Sequence, residues 1–452
     1  MKQFIETLKN IYKIEDLRKR IFYTLGIILL YRLGSFIVLP GVNPLWLEDS
    51  ALRKQTSDGV MGLLDMFSGG AFSNASIFAL GIMPYISASI VIQLLGMAIP
   101  YYQRMQKEGE SGRRKMNQHT RILTLAILLL QAPSYITNLF TQLPQLKDVV
   151  DGPSPLFSQT YFYVISTIVL TGGTMFVMWL GERITERGLG NGISLIIMIG
   201  IIARLPHALT AEFASRFTQT SGGGLMVFLV EIVMLFIVFV GSILLVQGTR
   251  KIPVQYAKRI VGNKQYGGVR QYIPLKLNAA GVMPIIFAQA LMFVPITIAG
   301  FTQSDQMNGF LSHFNKYTSG WYNIIFSTLI ILFTYFYTAI IINPNQMAED
   351  MKKNGGFIPG VKPGKKTSEF IDTIMSRITL PGAIFLALIA ILPAFARIAG
   401  IDPNFAQFFG GTSLLILVGV VLDTLQQIES HLLMRHYDGL MKSGRIKGRA
   451  GY

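Results

Sequence analysis

Ten runs of predominantly apolar residues, at roughly 21–39, 76–98, 122–143, 159–181, 193–206, 225–247, 279–300, 321–343, 378–398 and 408–430, set the terms for any fold of this chain. A helix crosses the hydrocarbon layer with about 20 apolar residues. Without water, backbone groups must bond within the segment, so runs of this length select helices. The expected class is an all-α membrane protein with ten transmembrane helices, arranged as two pseudo-symmetric halves of five. The fifth run, 193–206, is short. It crosses only if tilted, extended into its flanks or shielded by neighbours.

Charge placement supports the same count. Only 14% of residues are charged, against about 25% in soluble domains. The net charge is +16, and 32 of the 40 lysines and arginines fall in 1–20, 100–121, 181–192, 248–276, 344–377 and 431–452. With ten crossings these segments share one side. By the positive-inside rule that side is cytoplasmic, and it holds both termini. Arg32 and Arg204 lie in or at the end of spans. Residues 1–20 read as an amphipathic interfacial helix, with no cleavage signature after the run Ile21–Leu39. The expected organisation is 1–20 as this helix, 21–206 as the N-terminal half, 207–430 as the C-terminal half and 431–452 as a basic tail.

Two basic connections, 248–276 and 344–377, are too long for plain turns and rich in Gly, Pro and aromatics. Long ordered loops carry function, so both read as docking surfaces, with contact to anionic lipid as the alternative. Enzyme chemistry is not in view. Cysteine is absent, and no G-x-S-x-G, H-E-x-x-H or complete phosphate-binding loop occurs. No catalytic residue, metal or cofactor is expected. Glu231 and Asp423 lie in runs and Glu429 near a run end. Such acids are functional candidates, but without a partner histidine they make a thin proton relay.

Residues 60–75, VMGLLDMFSGGAFSNA, are too short and polar to cross. They form either an external loop packed on the protein or a re-entrant element buried within it. The Gly69–Gly70 pair suits a hinge or a close packing contact. Pro84 is expected to loosen the helix of the second run. Ile82 and Ile86, and likewise Ile193 and Ile197, stand four apart and share helix faces. By counting alone, isoleucine in a membrane helix needs no special role.

Seven stretches change that reading: MFSGGAFSNASIFALGIMPYISASIVIQLLG (66–96), KEGESGRRK (107–115), MWLGERITERGLGNGISLII (178–197), PVQYAKR (253–259), PLKLNAAGVMPIIFA (274–288), FYTAIIINP (336–344) and FGGTSLLILVGVVLD (409–423). In order and spacing they closely resemble SecY, the family of bacterial protein-conducting channels. The resemblance implies a clamshell around a central pore that opens sideways to lipid. Its waist would be an aliphatic ring of Ile82, Ile86, Ile193, Ile197, Ile286 and Ile416. The plug would be about 60–74, including Asp65, Met66, Phe67, Ser68, Gly69 and Gly70. Ser87, Gln93, Gln131 and Asn278 would line the lateral gate. Arg250, Lys251, Lys258, Arg259 and Lys362 would dock the SecA ATPase and the ribosome. Lys362 departs from the family pattern, which has arginine there. It keeps the charge but loses the bidentate fork.

The resemblance further implies SecE-like and SecG-like small membrane subunits, signal-bearing polypeptide substrates, SecD/SecF, YidC and anionic lipids as partners. It implies a multi-pass protein of the bacterial plasma (inner) membrane, acting as a channel and not as an enzyme. The alternatives are an ion-coupled secondary transporter of small solutes, dependent on Glu231 or Asp423, and a scaffold with a permanently shut pore.

Overall fold

The computed structural model describes residues 14–48, 60–143, 145–146, 158–218, 224–256, 259–261, 264–266, 270–289, 291–292 and 319–442. Each of the ten expected crossings contains helix. The helices are α1 (Glu15–Gly34), α2 (Val60–Phe67), α3 (Met83–Ala98), α4 (Pro100–Lys107), α5 (Glu110–Gln142), α6 (Gln159–Arg187), α7 (Gly192–Thr218), α8 (Gly224–Gln247), α9 (Gly320–Ile341), α10 (Pro344–Lys353), α11 (Lys365–Ile398) and α12 (Gly411–Lys442). The seventh crossing is represented by helix at 283–289, and its continuation at 293–300 lies outside the described residues. Among the described residues, seven helices are long and apolar enough to span, or eight if α3 and α4 count as one span broken by a 100° bend.

Two boundaries differ from expectation for physical reasons. The fifth crossing is not short: α7 runs 27 residues, with Pro206 inside it. The apolar pattern breaks at Arg204, but the helix continues through polar residues. The second crossing begins only at Met83, with Pro84 in the first turn. There the missing donor is one a helix start leaves unpaired anyway. Pro84 therefore starts this helix and does not loosen it.

The chain forms two compact units. The first is Met1–His207 with Val420–Tyr452, and the second is Ala208–Gly419. In the first, α5 packs against α3 and α6, and α6 packs against α1. Its core gathers Leu39, Phe72, Ala132, Tyr135, Ile136, Phe140 and Phe162. In the second, α11 packs against α8, α9 and α10.

The basic connections are ordered structure, an addition to the all-helical expectation. β1 (Thr249–Tyr256), β2 (Arg259–Val261), β3 (Lys264–Tyr266) and β4 (Arg270–Lys276) occupy the first connection, and β5 (Gly356–Phe357) lies in the second. β1 and β4 pair antiparallel from Thr249↔Lys276 to Gln255↔Arg270. β5 joins the other edge of β1 through Gln255↔Phe357 and Tyr256↔Gly356. Ile252 and Val254, two residues apart, share one face of the strand. They pack on Leu275, Met351, Ile358, Ile371 and Met375. One small hydrophobic core thus joins both connections to the start of α11. Ile371→Ala, at a position 1% exposed, should cost about 2–4 kcal/mol of this subdomain. It should expose both connections to limited proteolysis while the membrane helices stay protected.

Candidate functional site

The segment between the first two crossings is tied to its surroundings at several points. After α2 the chain turns irregularly from Ser68 to Ile82. Asp65, Met66, Phe67, Ser68, Ala71, Phe72 and Ser73 are all at most 5% exposed. The segment is buried within the protein.

Irregular backbone inside a protein needs partners for its polar groups, and side chains supply many of them here. Tyr31 donates its hydroxyl to the Ser68 carbonyl at 3.0 Å. Arg32 Nη1 donates to the Gly69 carbonyl at 2.9 Å. Tyr135 donates to the Phe72 carbonyl at 2.8 Å. Asp65 Oδ1 accepts the Ser73 N–H at 2.8 Å, closing the segment on itself. Asp65 Oδ2 pairs with the Arg204 guanidinium, which also donates to Ser73 Oγ at 2.9 Å. Further along, Leu39 N–H bonds the Ala75 carbonyl and Ile77 N–H bonds the Ile37 carbonyl, both at 2.9 Å.

Gly69 explains part of the glycine pair. Its φ is +66°, and a Cβ there would lie 2.8 Å from the Gly200 Cα of α7. No larger residue fits that approach. In the seated segment Asp65 and Ser68 are internal. Both are 2% exposed, and their polar atoms are used inside the protein. Sequence reasoning also passed over Arg32 and Arg204, treating them only as leftovers of the charge count. An arginine in an apolar run is costly and therefore a functional signal in itself.

The six isoleucines divide between the units. Ile82 caps α3 and accepts from Ile86 N–H at 3.1 Å. Ile193 and Ile197 open α7. Ile286 and Ile416, in the second unit, lie in the 283–289 helix and in α12. Among the gate residues, Ser87 and Gln93 lie on α3, and Gln93 Nε2 bonds Ser89 Oγ of the same helix at 3.2 Å. Gln131 is exposed on α5. Asn278 Nδ2 donates to the Gly281 carbonyl at 2.9 Å, within its own turn.

Of the docking residues, Arg250 and Lys251 are exposed on β1, and Lys362 is exposed before α11. Arg259 opens β2, and Lys258 lies outside the described residues. Sheet pairing adds Arg270 and Lys276 of β4, which the sequence reading did not single out. The Lys362 carbonyl accepts from Thr367 Oγ1 at 3.0 Å, fixing the backbone beneath the exposed ammonium.

Glu231, one of the two acids on which a transporter would depend, is engaged in an ion-pair knot. Arg216 binds Glu212 at 2.7 Å and Glu231 at 2.5 Å and donates to the Gly400 carbonyl at 3.0 Å. Glu212 also accepts the Asp402 N–H at 2.8 Å. This knot braces α7, α8 and the turn after α11. Asp423 and Glu429 are exposed on α12.

A tied, irregular segment packed among helices long and apolar enough to span marks the class as a multi-pass membrane protein. Solved structures agree with that fold. A protein-conducting channel matches with a TM-score of 0.57 at 17% identity, covering 91% of this chain and 92% of that one. A SecY structure whose plug domain is described as stabilising the closed state and maintaining a membrane seal matches with a TM-score of 0.59 at 17% identity, over 91% and 92%. Sec61 in a canine ribosome–channel complex gives 0.57 at 16%, also over 91% and 92%.

A model of the SecY family matches residues 76–425. Protein translocase subunit SecY of Halalkalibacterium halodurans is 45% identical over 96% of this chain and 99% of its own length. That of Corynebacterium glutamicum is 42% identical over 95% and 98%. The chain belongs to the SecY family, and its activity is that of the protein-conducting channel of the translocase.

Arg204→Gln should remove a charge-assisted bond worth about 2 kcal/mol, or roughly 30-fold in the equilibrium holding the segment in place. The measurement is resting ion conductance of the reconstituted channel. It should rise in Arg204→Gln and Asp65→Asn, and little further in the double variant, because both remove the same pair.

Proposed function

We propose that residues 60–74 are the plug of this channel and that Ile82, Ile86, Ile193, Ile197, Ile286 and Ile416 form its constriction. The observation that carries the reading is the buried segment 65–73, which runs from the end of α2 into irregular backbone held by bonds from side chains. Such bonds can be exchanged one by one for bonds to water. Asp65 and Ser68 keep the displaced segment wettable, so that it can leave the pore.

Aliphatic side chains neither hydrate an ion nor form directional bonds. Closed, the ring excludes ions by dewetting. Open, it closes around any extended polypeptide without reading its sequence. Lateral release follows from partition. Each Leu, Ile, Phe or Val favours the bilayer by about 0.3–0.6 kcal/mol, and each central charge opposes it by about 3 kcal/mol. Ser87, Gln93, Gln131 and Asn278 stand at the expected gate. Unfolded secretory chains cross, and sufficiently apolar segments leave sideways.

The basic sheet supports a cytoplasmic docking role. Arg250, Lys251 and Lys362, with Lys258 and Arg259, would face a SecA-like ATPase or the ribosome, whose RNA phosphates attract such a surface. SecE-like and SecG-like subunits, SecD/SecF, YidC and anionic lipids complete the proposed setting, in a bacterial plasma membrane with both termini cytoplasmic.

A photo-crosslinking residue at Ile82 or Ile286 should label a stalled secretory chain at both positions. Labelling only at outward positions such as Leu130 would reject the pore assignment. Deleting residues 62–72 should let the resting channel conduct ions, whereas a permanently shut scaffold would stay tight. Arg250→Gln with Lys251→Gln should weaken ribosome binding and flatten its salt dependence by about two charges.

A further inference from the structure

The second unit contains a buried polar bond that ordinary packing does not call for. Thr412 Oγ1 of α12 donates to Gln289 Oε1 of the 283–289 helix at 2.6 Å. Gln289 is 3% exposed and Thr412 4%. The Gln289 Nε2 is buried with no hydrogen-bond partner among the described residues. Leu and Val of similar volume would fill this space without leaving a donor unmet, and an unmet buried donor is costly. The pair therefore needs a reason beyond cohesion.

Its place in the sequence supplies one. Ile286 precedes Gln289 by three residues, and Ile416 follows Thr412 by four. Each isoleucine lies about one helical turn from its polar neighbour and on the same side of its helix. Ten successive crossings make the seventh and tenth antiparallel. A turn back from Gln289 and a turn on from Thr412 thus lead to the same level. Apolar contacts alone let one helix slide or rotate on another at small cost. A single directed bond fixes both motions.

We infer that Gln289 and Thr412 are positioning residues for the constriction: their bond sets the height and rotation at which Ile286 and Ile416 meet. The inference rests on the reading of these two isoleucines as part of the pore ring. Asn278 closes the turn leading into the same helix.

The chain has no cysteine, so the test needs no background removal. Ile286→Cys with Ile416→Cys is reconstituted in the assembled channel, and three measurements are made. These are bridging by a short bifunctional thiol reagent, resting ion conductance and translocation. Thr412→Val and Gln289→Leu should each slow bridging and raise conductance about three- to tenfold, the change expected for one lost buried bond. Thr412→Ser should behave as the parent, and the double variant should be no worse than either single one. A merely structural bond would alter yield but move neither bridging nor leak in the channels that assemble. Should Thr412→Val fail to assemble, Gln289→Leu carries the same comparison.

Bridging and conductance equal to the parent in the assembled variants overturn the positioning role. A bulky thiol reagent at Ile286→Cys that changes neither conductance nor translocation overturns the pore reading, and the inference with it. If that reagent blocks the channel while Thr412→Val is silent, the positioning role alone is overturned.

Discussion

In hydrocarbon a backbone amide has no water to bond, and every departure from helix must be supplied with partners by the protein. From Ser68 to Ile82 the first unit gives up helical bonding. Tyr31, Arg32, Tyr135, Arg204 and the 37–39 backbone provide partners in its place. The same requirement explains why two arginines are tolerated in otherwise apolar runs. Each spends its charge on the segment, one on a carbonyl and the other on a carboxylate.

The helices themselves were readable because membrane crossings write a strong one-dimensional signal. Length and the asymmetry of lysine and arginine gave the ten crossings and their register along the chain. Boundaries were less readable. Polar residues such as Arg204, His207 and Glu212 ended the apolar pattern, but helical bonding does not depend on hydropathy, and α7 ran on through them. The sheet in the basic connections was unreadable for another reason. β1 pairs with a strand 14 residues past its end and with one a further 80 residues along. No local periodicity announces such partners.

The candidate site divides in the same way. Resemblance pointed to the isoleucines and to residues 60–74, because those stretches carry motifs. It said nothing of what holds them. Asp65 and Ser68 are internal, which residue type alone does not announce. The partners that decide this, Tyr31 and Arg204, lie 34 residues before Asp65 and 139 after it. Residue type can suggest that a carboxylate needs a partner. Only the fold says which cation it finds.

The three-stranded sheet also has a mechanical side. β1 leaves α8 after a single residue, Gly248, whose carbonyl accepts from Leu277 N–H at 2.8 Å, so hairpin and helix form one stiff piece. β5 fastens the approach to α11 to the same piece. A load applied to the exposed basic strands therefore passes through backbone bonds and a packed core to the ends of two membrane helices, with no slack loop to absorb it. In the proposed docking role this surface is a handle as well as a landing place: a partner that bound and turned there would deliver torque to the helix ends of the second unit.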